Sequence, residues 1–262
     1  MLEMAEARVV VAHIHLFKNA GTSVENSLGA FFQDRWASYD KESSADQLCR
    51  DELVAYLRQR PELQAISSHH LRPPLQNTLD LEIMPIVFVR HPIDRIRSAY
   101  EFEKVQGPVS ASSRAASTMN MAEWIEFHQN RRSTQCRNFQ TYALTSLRND
   151  VGAPVYSQPI DRHLERAIDF LSSLPALGLV ESFDETWQWI SSWIRTRFPS
   201  FHSEPRRENR TSRSAETLQA RLDHTREQLG VQAYDQLLEC NQADLRLHRW
   251  ATDRFEQAAR TS

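Results

Sequence analysis

Four short apolar segments, separated by longer stretches with helical periodicity, constrain the fold of this chain more than any other feature. They cover residues 9–15, 63–68, 83–89 and 176–180, and each is bounded by polar or proline-containing residues. Short apolar runs of this kind are typical of parallel strands buried on both faces. Strands that alternate with helices form a mainly parallel sheet flanked by helices. The sequence therefore predicts an α/β fold whose ligand site lies at the carboxyl ends of the strands.

The rest of the chain is mostly helical in pattern. We expect a mainly helical C-terminal third, preceded by helices over residues 23–32, 45–59, 93–104, 121–130, 139–147, 160–172 and 185–198. Two polar segments, 106–118 and 201–214, lack this periodicity, and we expect them to be irregular loops over a site. The length suits one domain over residues 1–262.

Composition narrows the classes of function and location. Of the 262 residues, 40% are hydrophobic and 25% charged, and the net charge of −3 argues against a nucleic-acid partner. Three scattered cysteines indicate neither a disulfide framework nor a zinc site. The apolar run at 9–17 is shorter than the about 20 residues that cross a bilayer, so no membrane span is expected. Without a visible signal peptide we expect a cytoplasmic location, or the Golgi lumen if an upstream anchor was removed. No pattern indicates an oligomeric state.

The first candidate site is the loop between the first strand and the first helix. Orphan backbone N–H groups and the helix dipole favour an anion at such a helix start, and the loop adds one ammonium and two hydroxyls. The order differs from the GxxxxGK[ST] phosphate loop, because here the lysine comes first. An ordinary helix N-cap by Thr22 or Ser23 is the alternative. The predicted phosphate- or sulfate-binding residues are Lys18, Asn19, Ala20, Gly21, Thr22 and Ser23.

The second candidate site is the segment RHPIDRIRSAY, residues 90–100, which directly follows the strand IVFV. Arg90 lies at the end of that strand, Pro92 ends the extended run, and the helix that follows carries Ser98. A guanidinium fork with a hydroxyl suits a phosphate monoester. The alternative is a solvated basic helix start. Two anion sites at two strand ends predict a nucleotide with phosphates at both its 5′ and 3′ positions.

Both segments resemble sulfotransferase motifs. HIHLFKNAGTS (13–23) is similar to the HIPKTAGTS-type loop for the 5′-phosphosulfate, and RHPIDRIRSAY to the R-x-P-x-x-R-x-x-S-x-Y block for the 3′-phosphate. Phe17 and Asn19 depart from the usual proline and threonine or cysteine. Weaker similarities to the carbohydrate-type, family 2-like branch extend over most of the chain: SSHHLRPP (67–74), RNFQTYAL (137–144), LGLVESFDET (177–186) and NQADLRLHRWA (241–251).

The resemblance implies a P-loop-like α/β fold and an enzyme that uses 3′-phosphoadenosine-5′-phosphosulfate (PAPS) as donor. It also implies transfer of the sulfuryl group to an acceptor hydroxyl or amine, on a carbohydrate or a similar small molecule. Charge develops on the leaving phosphate during such a transfer. Lys18 can neutralise that charge with the help of Thr22 and Ser23, so no metal is expected.

An acceptor hydroxyl needs a base, and a neutral imidazole suits this role near pH 7. His69 matches the histidine of the family and follows a predicted strand. The adjacent His70 is the second candidate, and a carboxylate such as Glu25 or Asp40 is the third. His13 and His15 alternate onto one strand face, where a metal pair is conceivable but packed, hydrogen-bonded residues are favoured.

The sequence leaves the roles of several further residues open. Asn138 and Gln140 either bind a substrate or pack a helix. The polar segment 201–214 is either a flap that grips an anion or a solvated charge run, and it carries Arg206, Arg207, Arg210 and Arg213. Of these, Arg210 is the predicted donor ligand. The alternatives to a sulfotransferase are an ATP-dependent P-loop kinase and a catalytically silent binding module.

Overall fold

A computed structural model describes residues 7–43, 46–149, 152–202 and 216–261. Its central sheet contains five strands within these ranges, all parallel, in the order β2-β3-β1-β4-β5. The strands are β1 (Arg8–Ile14), β2 (Trp36–Ser38), β3 (Ala65–Ser68), β4 (Leu81–Val89) and β5 (Gly178–Leu179). The predicted α/β class with a parallel sheet is confirmed.

The same described ranges contain eleven α-helices, and three of them follow residue 216, so the predicted helical C-terminal third is confirmed there. The helices are α1 (Gly21–Phe32), α2 (Arg50–Gln59), α3 (Pro92–Val105), α4 (Ala111–Thr118), α5 (Met121–Asn130), α6 (Phe139–Leu144), α7 (Ile160–Ser172), α8 (Phe183–Arg195), α9 (Leu218–Leu229), α10 (Val231–Cys240) and α11 (Gln242–Thr261).

Two expectations about local structure were wrong. The segment 106–118 was expected to be irregular, yet its second half forms α4. Ser110 accepts a hydrogen bond from the backbone of Ser113, and the Ser113 side chain accepts one from the backbone of Ser110, so a capping box starts this helix. Helix α2 begins at Arg50 rather than near residue 45, because Leu48 is extended and pairs with Leu71. Most of the segment 201–214 lies outside the described residues.

The described residues form two compact units. The first contains residues 7–43, 46–89, 143–149 and 152–202, and the second contains residues 90–142 and 216–261. The expectation of one domain stays a prediction. Among the described helices, none is both long and apolar enough to cross a membrane.

The core of the first unit lies between the sheet and two helices. Alternate residues of β4 (Met84, Ile86 and Phe88) point to one face, as the two-residue period of a strand requires. Helices α1 and α8 cover that face with apolar side chains: Val24, Leu28 and Phe32 from α1, and Phe183, Trp187, Ile190 and Ile194 from α8. Burial of each large side chain contributes about 1.5–3 kcal/mol.

Strand register in the first unit places two loops side by side. His13 of β1 lies opposite Ser67 of β3, and Ile14 lies opposite Ser68. Because these parallel strands end at the same level, residues 15–20 and 69–72 leave the sheet at one edge. This is the edge where the sequence predicts a ligand site.

The second unit is built around α3, which packs against α4, α5, α9 and α11. Its apolar residues Ile93, Ile96 and Tyr100 are buried as expected. The charged residues Asp94 and Arg97 are buried as well. Buried charges require partners, and theirs are described below.

Candidate active site

The loop between β1 and α1 has an unusual backbone. The φ angles of Lys18 and Ala20 are 65° and 61°, whereas Asn19 between them does not have a positive φ. Non-glycine residues in this region cost of the order of 1–3 kcal/mol and persist only where the surroundings hold them. Backbone that alternates in hand in this way turns successive N–H groups toward one side, which makes a concavity for an anion.

Asn19 holds the loop in this shape. Its side chain is buried, and Nδ2 donates to the carbonyl oxygen of Phe88 at 2.7 Å. Its own backbone N–H donates to the carbonyl oxygen of Leu16. The sequence placed Asn19 among the ligand-binding residues. Because its amide fastens the loop to β4, we assign it to shaping the loop.

Helix α1 starts without a side-chain cap. Its N-cap residue is Ala20, and the first turn contains no acidic residue. Thr22 and Ser23 lie inside the first turn, so the alternative in which either caps the helix is wrong. The first N–H groups of a helix lack intrahelical acceptors and carry the positive end of its dipole. The start of α1 is therefore suited to an anion.

Gly21 connects the loop to a histidine. A Cβ atom built on Gly21 would lie 1.7 Å from Nε2 of His15. Any other residue would thus displace the buried His15 ring or the start of α1. Glycine is required here for close approach, not for a positive φ angle.

A chain of hydrogen bonds runs from His15 across the sheet edge. Glu25 Oε1 accepts from His15 Nδ1 at 3.0 Å and from Ser67 Oγ at 2.8 Å. His13 Nδ1 lies 2.7 Å from the same Ser67 Oγ. A carboxylate only accepts, so His15 carries its proton on Nδ1. The single hydroxyl proton of Ser67 is directed at Glu25, so His13 is also protonated on Nδ1.

Electrostatic interactions determine the protonation states of His13 and Glu25 in this hydrogen-bonded network. Burial, reinforced by repulsion from His15 and His69, lowers the pKa of His13 well below its usual value, so that ring is neutral. Burial acts to raise the pKa of Glu25, but the hydrogen bond and charge of His15, together with the hydrogen bond from Ser67, outweigh it and lower the pKa. Glu25 is therefore a carboxylate at neutral pH.

His69 is held in one tautomer. Its Nδ1 lies 3.0 Å from the carbonyl oxygen of His15, which can only accept, so Nδ1 carries the proton and Nε2 carries the lone pair. The rings of His15 and His69 pack together with centroids 3.7 Å apart. Burial, followed by repulsion from His15, lowers the pKa of His69. A neutral imidazole with its lone pair on Nε2 can accept a proton.

His70 and Asp40 shape the turn around His69. His70 is buried, and its Nδ1 accepts the backbone N–H of Lys41 at 2.8 Å. Asp40 Oδ1 accepts from the backbone N–H of His69 at 2.7 Å and from the Ser68 hydroxyl at 3.0 Å. These contacts favour His69 over either neighbour as the base.

His13, His15 and Glu25 also offer ligand atoms that lie within 4.8 Å of one another, which is a donor set that divalent metals use. In the structure these groups are packed and joined by hydrogen bonds, two of them through Ser67. Both histidines are therefore packed and hydrogen-bonded in the structure, and the expectation that they bind no metal stays a prediction.

In the second unit, Arg90 is fixed at both its backbone and its side chain. Its backbone N–H and C=O pair with the side-chain amide of buried Gln140 at 2.9 and 2.8 Å. Its Nε and Nη2 donate to Asp94 Oδ2 at 2.9 and 2.8 Å. Half-buried Ser98 lies further along the same helix, α3. Gln140 thus positions Arg90.

Asn138 and Asp244 have structural roles in the same unit. Asn138 Oδ1 accepts from the backbone of Ala243 and Asp244 at the start of α11. Asp244 in turn accepts from the backbone of Gln140 and Thr141. For Asn138 and Gln140, the packing alternative therefore describes what their side chains do.

Sequence reasoning missed Arg221 on α9. Its Nε and Nη2 donate to the two oxygens of Asp94 at 2.9 and 3.1 Å, and Arg97 approaches the same carboxylate at 3.3 Å. Burial would raise the pKa of Asp94, but the charges of Arg90 and Arg221 outweigh it and hold the pKa far below its usual range. Thr225 is the one buried residue of α9, so no apolar stripe in the sequence marked the face on which Arg221 lies.

The arginines of the segment 201–214 cannot be placed in this way. Arg206, Arg207, Arg210 and Arg213 lie outside the described residues. The expectation that Arg210 binds the donor stays a prediction.

Comparison with known proteins identifies the family of this chain through one sequence model. A sequence model described as the sulfotransferase family matches residues 4–251. An uncharacterized protein of Archaeoglobus fulgidus is 29% identical over 261 residues, which cover 95% of this chain and 98% of that protein.

Proposed function

This chain belongs to the sulfotransferase family, and from that premise we propose that it transfers the sulfuryl group of PAPS to a hydroxyl group on a carbohydrate or similar small molecule. One observation carries the proposal. The His15 side chain contacts both Gly21 of the anion loop and His69, so the loop and the neutral base are separated by the width of one ring.

The loop suits the 5′-phosphosulfate end of the donor. Lys18 would supply the positive charge, and the start of α1 would supply backbone N–H groups together with Thr22 and Ser23. PAPS, when bound, supplies an activated sulfuryl group. Lys18 then stabilises the negative charge that accumulates on the leaving phosphate oxygen.

His69 acts as the general base. Its Nε2 accepts the proton of the acceptor hydroxyl, while the carbonyl oxygen of His15 keeps the other ring proton on Nδ1. The lowered pKa of His69 keeps the ring unprotonated at neutral pH, where a base must be. The oxygen of the acceptor becomes nucleophilic as this proton leaves.

Arg90 and Ser98 are the proposed ligands of the 3′-phosphate, and we add Arg221 to this proposal. Asp94 holds the guanidinium groups of Arg90 and Arg221 by two hydrogen bonds each. The two guanidinium groups lie together at one carboxylate, and this arrangement suits a second oxyanion, the doubly charged 3′-phosphate.

Titration calorimetry tests the donor class. Adenosine 3′,5′-bisphosphate, the donor product, is expected to bind far more tightly than ATP and without Mg²⁺. ATP that binds more tightly, and only with Mg²⁺, would indicate a kinase instead. Turnover is then tested by an acceptor screen with radiolabelled PAPS, and His69→Ala is expected to abolish turnover while the affinity for the bisphosphate stays nearly unchanged.

A further inference from the structure

Glu25 is a firmly held carboxylate close to the proposed base. It lies on α1, one turn after Gly21, and its Oε1 is fixed by two donors, Nδ1 of His15 directly after β1 and Oγ of Ser67 on β3. Ser67 is fixed in turn by His13. Three side chains thus hold this carboxylate in one place, although none of the contacts involves the group that would react.

His15 transmits the position of Glu25 to the base. The ring of His15 packs against the ring of His69 at an angle of 31°, and the carbonyl oxygen of His15 accepts the Nδ1 proton of His69. His69 therefore depends on His15 at its ring face and at its ring nitrogen. The orientation of the His15 ring depends on Glu25.

The charge of Glu25 also matters when His69 takes up a proton. Burial and repulsion from His15 lower the pKa of His69, whereas the charges of Asp40 and Glu25 act to raise it. The titratable or charged groups around His69 come from β1, α1, the loop after β2 and its own segment: His13, His15, Glu25, Asp40, His70 and Arg72. Among the acids in this set, Glu25 bonds the side chain that packs against the base.

We propose that Glu25 is a positioning residue that orients the base: it holds His15, and His15 in turn holds His69. Its negative charge also stabilises the imidazolium formed on His69. The inference rests on the proposed role of His69. The proton itself moves only from the acceptor hydroxyl to Nε2 of His69, and Glu25 stays ionised throughout.

Glu25→Gln tests the charge with the shape retained, because the amide oxygen can still accept from His15 and Ser67. We expect kcat/KM at pH 7 to fall about tenfold, since a general base of lower pKa is a weaker base. The acid limb of the pH profile should move to lower pH, because removal of a nearby negative charge lowers the pKa of His69. The affinity for adenosine 3′,5′-bisphosphate should change by less than about twofold.

Glu25→Ala removes the acceptor as well, and we expect a loss of about a hundredfold, as for a misplaced catalytic group. Glu165→Gln is the matched control, since Glu165 is an exposed glutamate on α7, and it should leave rate and profile unchanged. Thermal melting checks that each variant is folded.

Three results would count against the inference in distinguishable ways. An unchanged rate and acid limb in Glu25→Gln, with His69→Ala inactive, overturns the positioning role of Glu25 alone. A Glu25→Gln variant as inactive as His69→Ala, with no acid limb left, makes Glu25 itself the base. A His69→Ala variant that keeps most of its rate overturns the assignment of the base on which the inference depends.

Discussion

The two anion sites proposed for this enzyme are built by different means. In the first unit, the loop of residues 18–23 carries one charged side chain, Lys18, and is otherwise built from backbone: positive φ angles, an uncapped helix start and a glycine that admits a histidine ring. In the second unit, Arg90 and Arg221 rely on side-chain charge, gathered by the buried carboxylate of Asp94. The loop is shaped by steric fit, whereas the arginine pair is shaped by electrostatics.

This difference indicates a division of roles. Backbone N–H groups have fixed positions and suit a reaction in which charge grows at one defined atom, because they need no reorganisation. Guanidinium groups bind a phosphate that does not change during the reaction, and they contribute affinity and recognition. Variants of the loop should therefore act on kcat, and variants of the arginine pair should act on donor binding.

The largest effect is expected for Lys18→Ala. Loss of the ammonium removes the charge that stabilises the leaving phosphate, so kcat should fall about 10³-fold, as for removal of one strong electrostatic contact in the transition state. Affinity for adenosine 3′,5′-bisphosphate should fall much less. Steady-state kinetics and calorimetry measure the two quantities, and exposed Lys104 provides the control variant Lys104→Ala. An unchanged kcat would show that this loop binds the donor but takes no part in catalysis.

The second largest effect is expected for Gly21→Ala. The added Cβ would lie 1.7 Å from His15 Nε2, so the His15 ring must move, and His69 packs against that ring. We expect kcat to fall about a hundredfold, as for a displacement of about 1 Å in an active site. Gly29→Ala on the same helix is the control, because its Cβ would meet Trp36 at an ordinary 3.5 Å. Equal kinetics in the two variants would disprove the coupling of the loop to the base.

The sequence predicted the parts of the molecule that local patterns encode. Apolar runs located β1, β3, β4 and β5, and periodicity located most helices. The strand β2 has only three residues, Trp36–Ser38, which is too short for a pattern. Helix α4 was missed because its cap is built from serines and its surface is polar, so its composition resembles that of a loop.

The candidate site also has features that local sequence patterns predict and features that only the folded structure shows. The anion loop and the base candidates follow strands and were visible as motifs. The contact of His15 with His69 depends on the register between β1 and β3, which a single sequence does not contain. Arg221 reaches Asp94 across 127 residues, so the folded second unit alone brings this pair together.

A third, smaller effect is expected for Arg221→Ala. An arginine–phosphate contact is worth about 1.5–3 kcal/mol, so affinity for adenosine 3′,5′-bisphosphate should fall at least about tenfold. Adenosine 5′-monophosphate lacks the 3′-phosphate, and its affinity should change by less than about twofold. Calorimetry with both ligands separates the two causes of a weaker affinity, because a folding defect would weaken the binding of both. Exposed Arg226 on the same helix provides the control Arg226→Ala, and equal losses for both ligands would remove Arg221 from the phosphate site.

The smallest effect is expected from salt. Raising NaCl from about 50 to about 300 mM shortens the Debye length from about 14 Å to about 6 Å, which weakens charge-built binding. Because the arginine side chains are partly buried, the preference for adenosine 3′,5′-bisphosphate over the 5′-monophosphate should fall only severalfold. Affinity for the 5′-monophosphate should fall less, because the loop that would bind it has one charged side chain, Lys18, beside its backbone N–H groups. If salt weakens the binding of both ligands equally, the loop and the arginine pair do not differ in their dependence on side-chain charge.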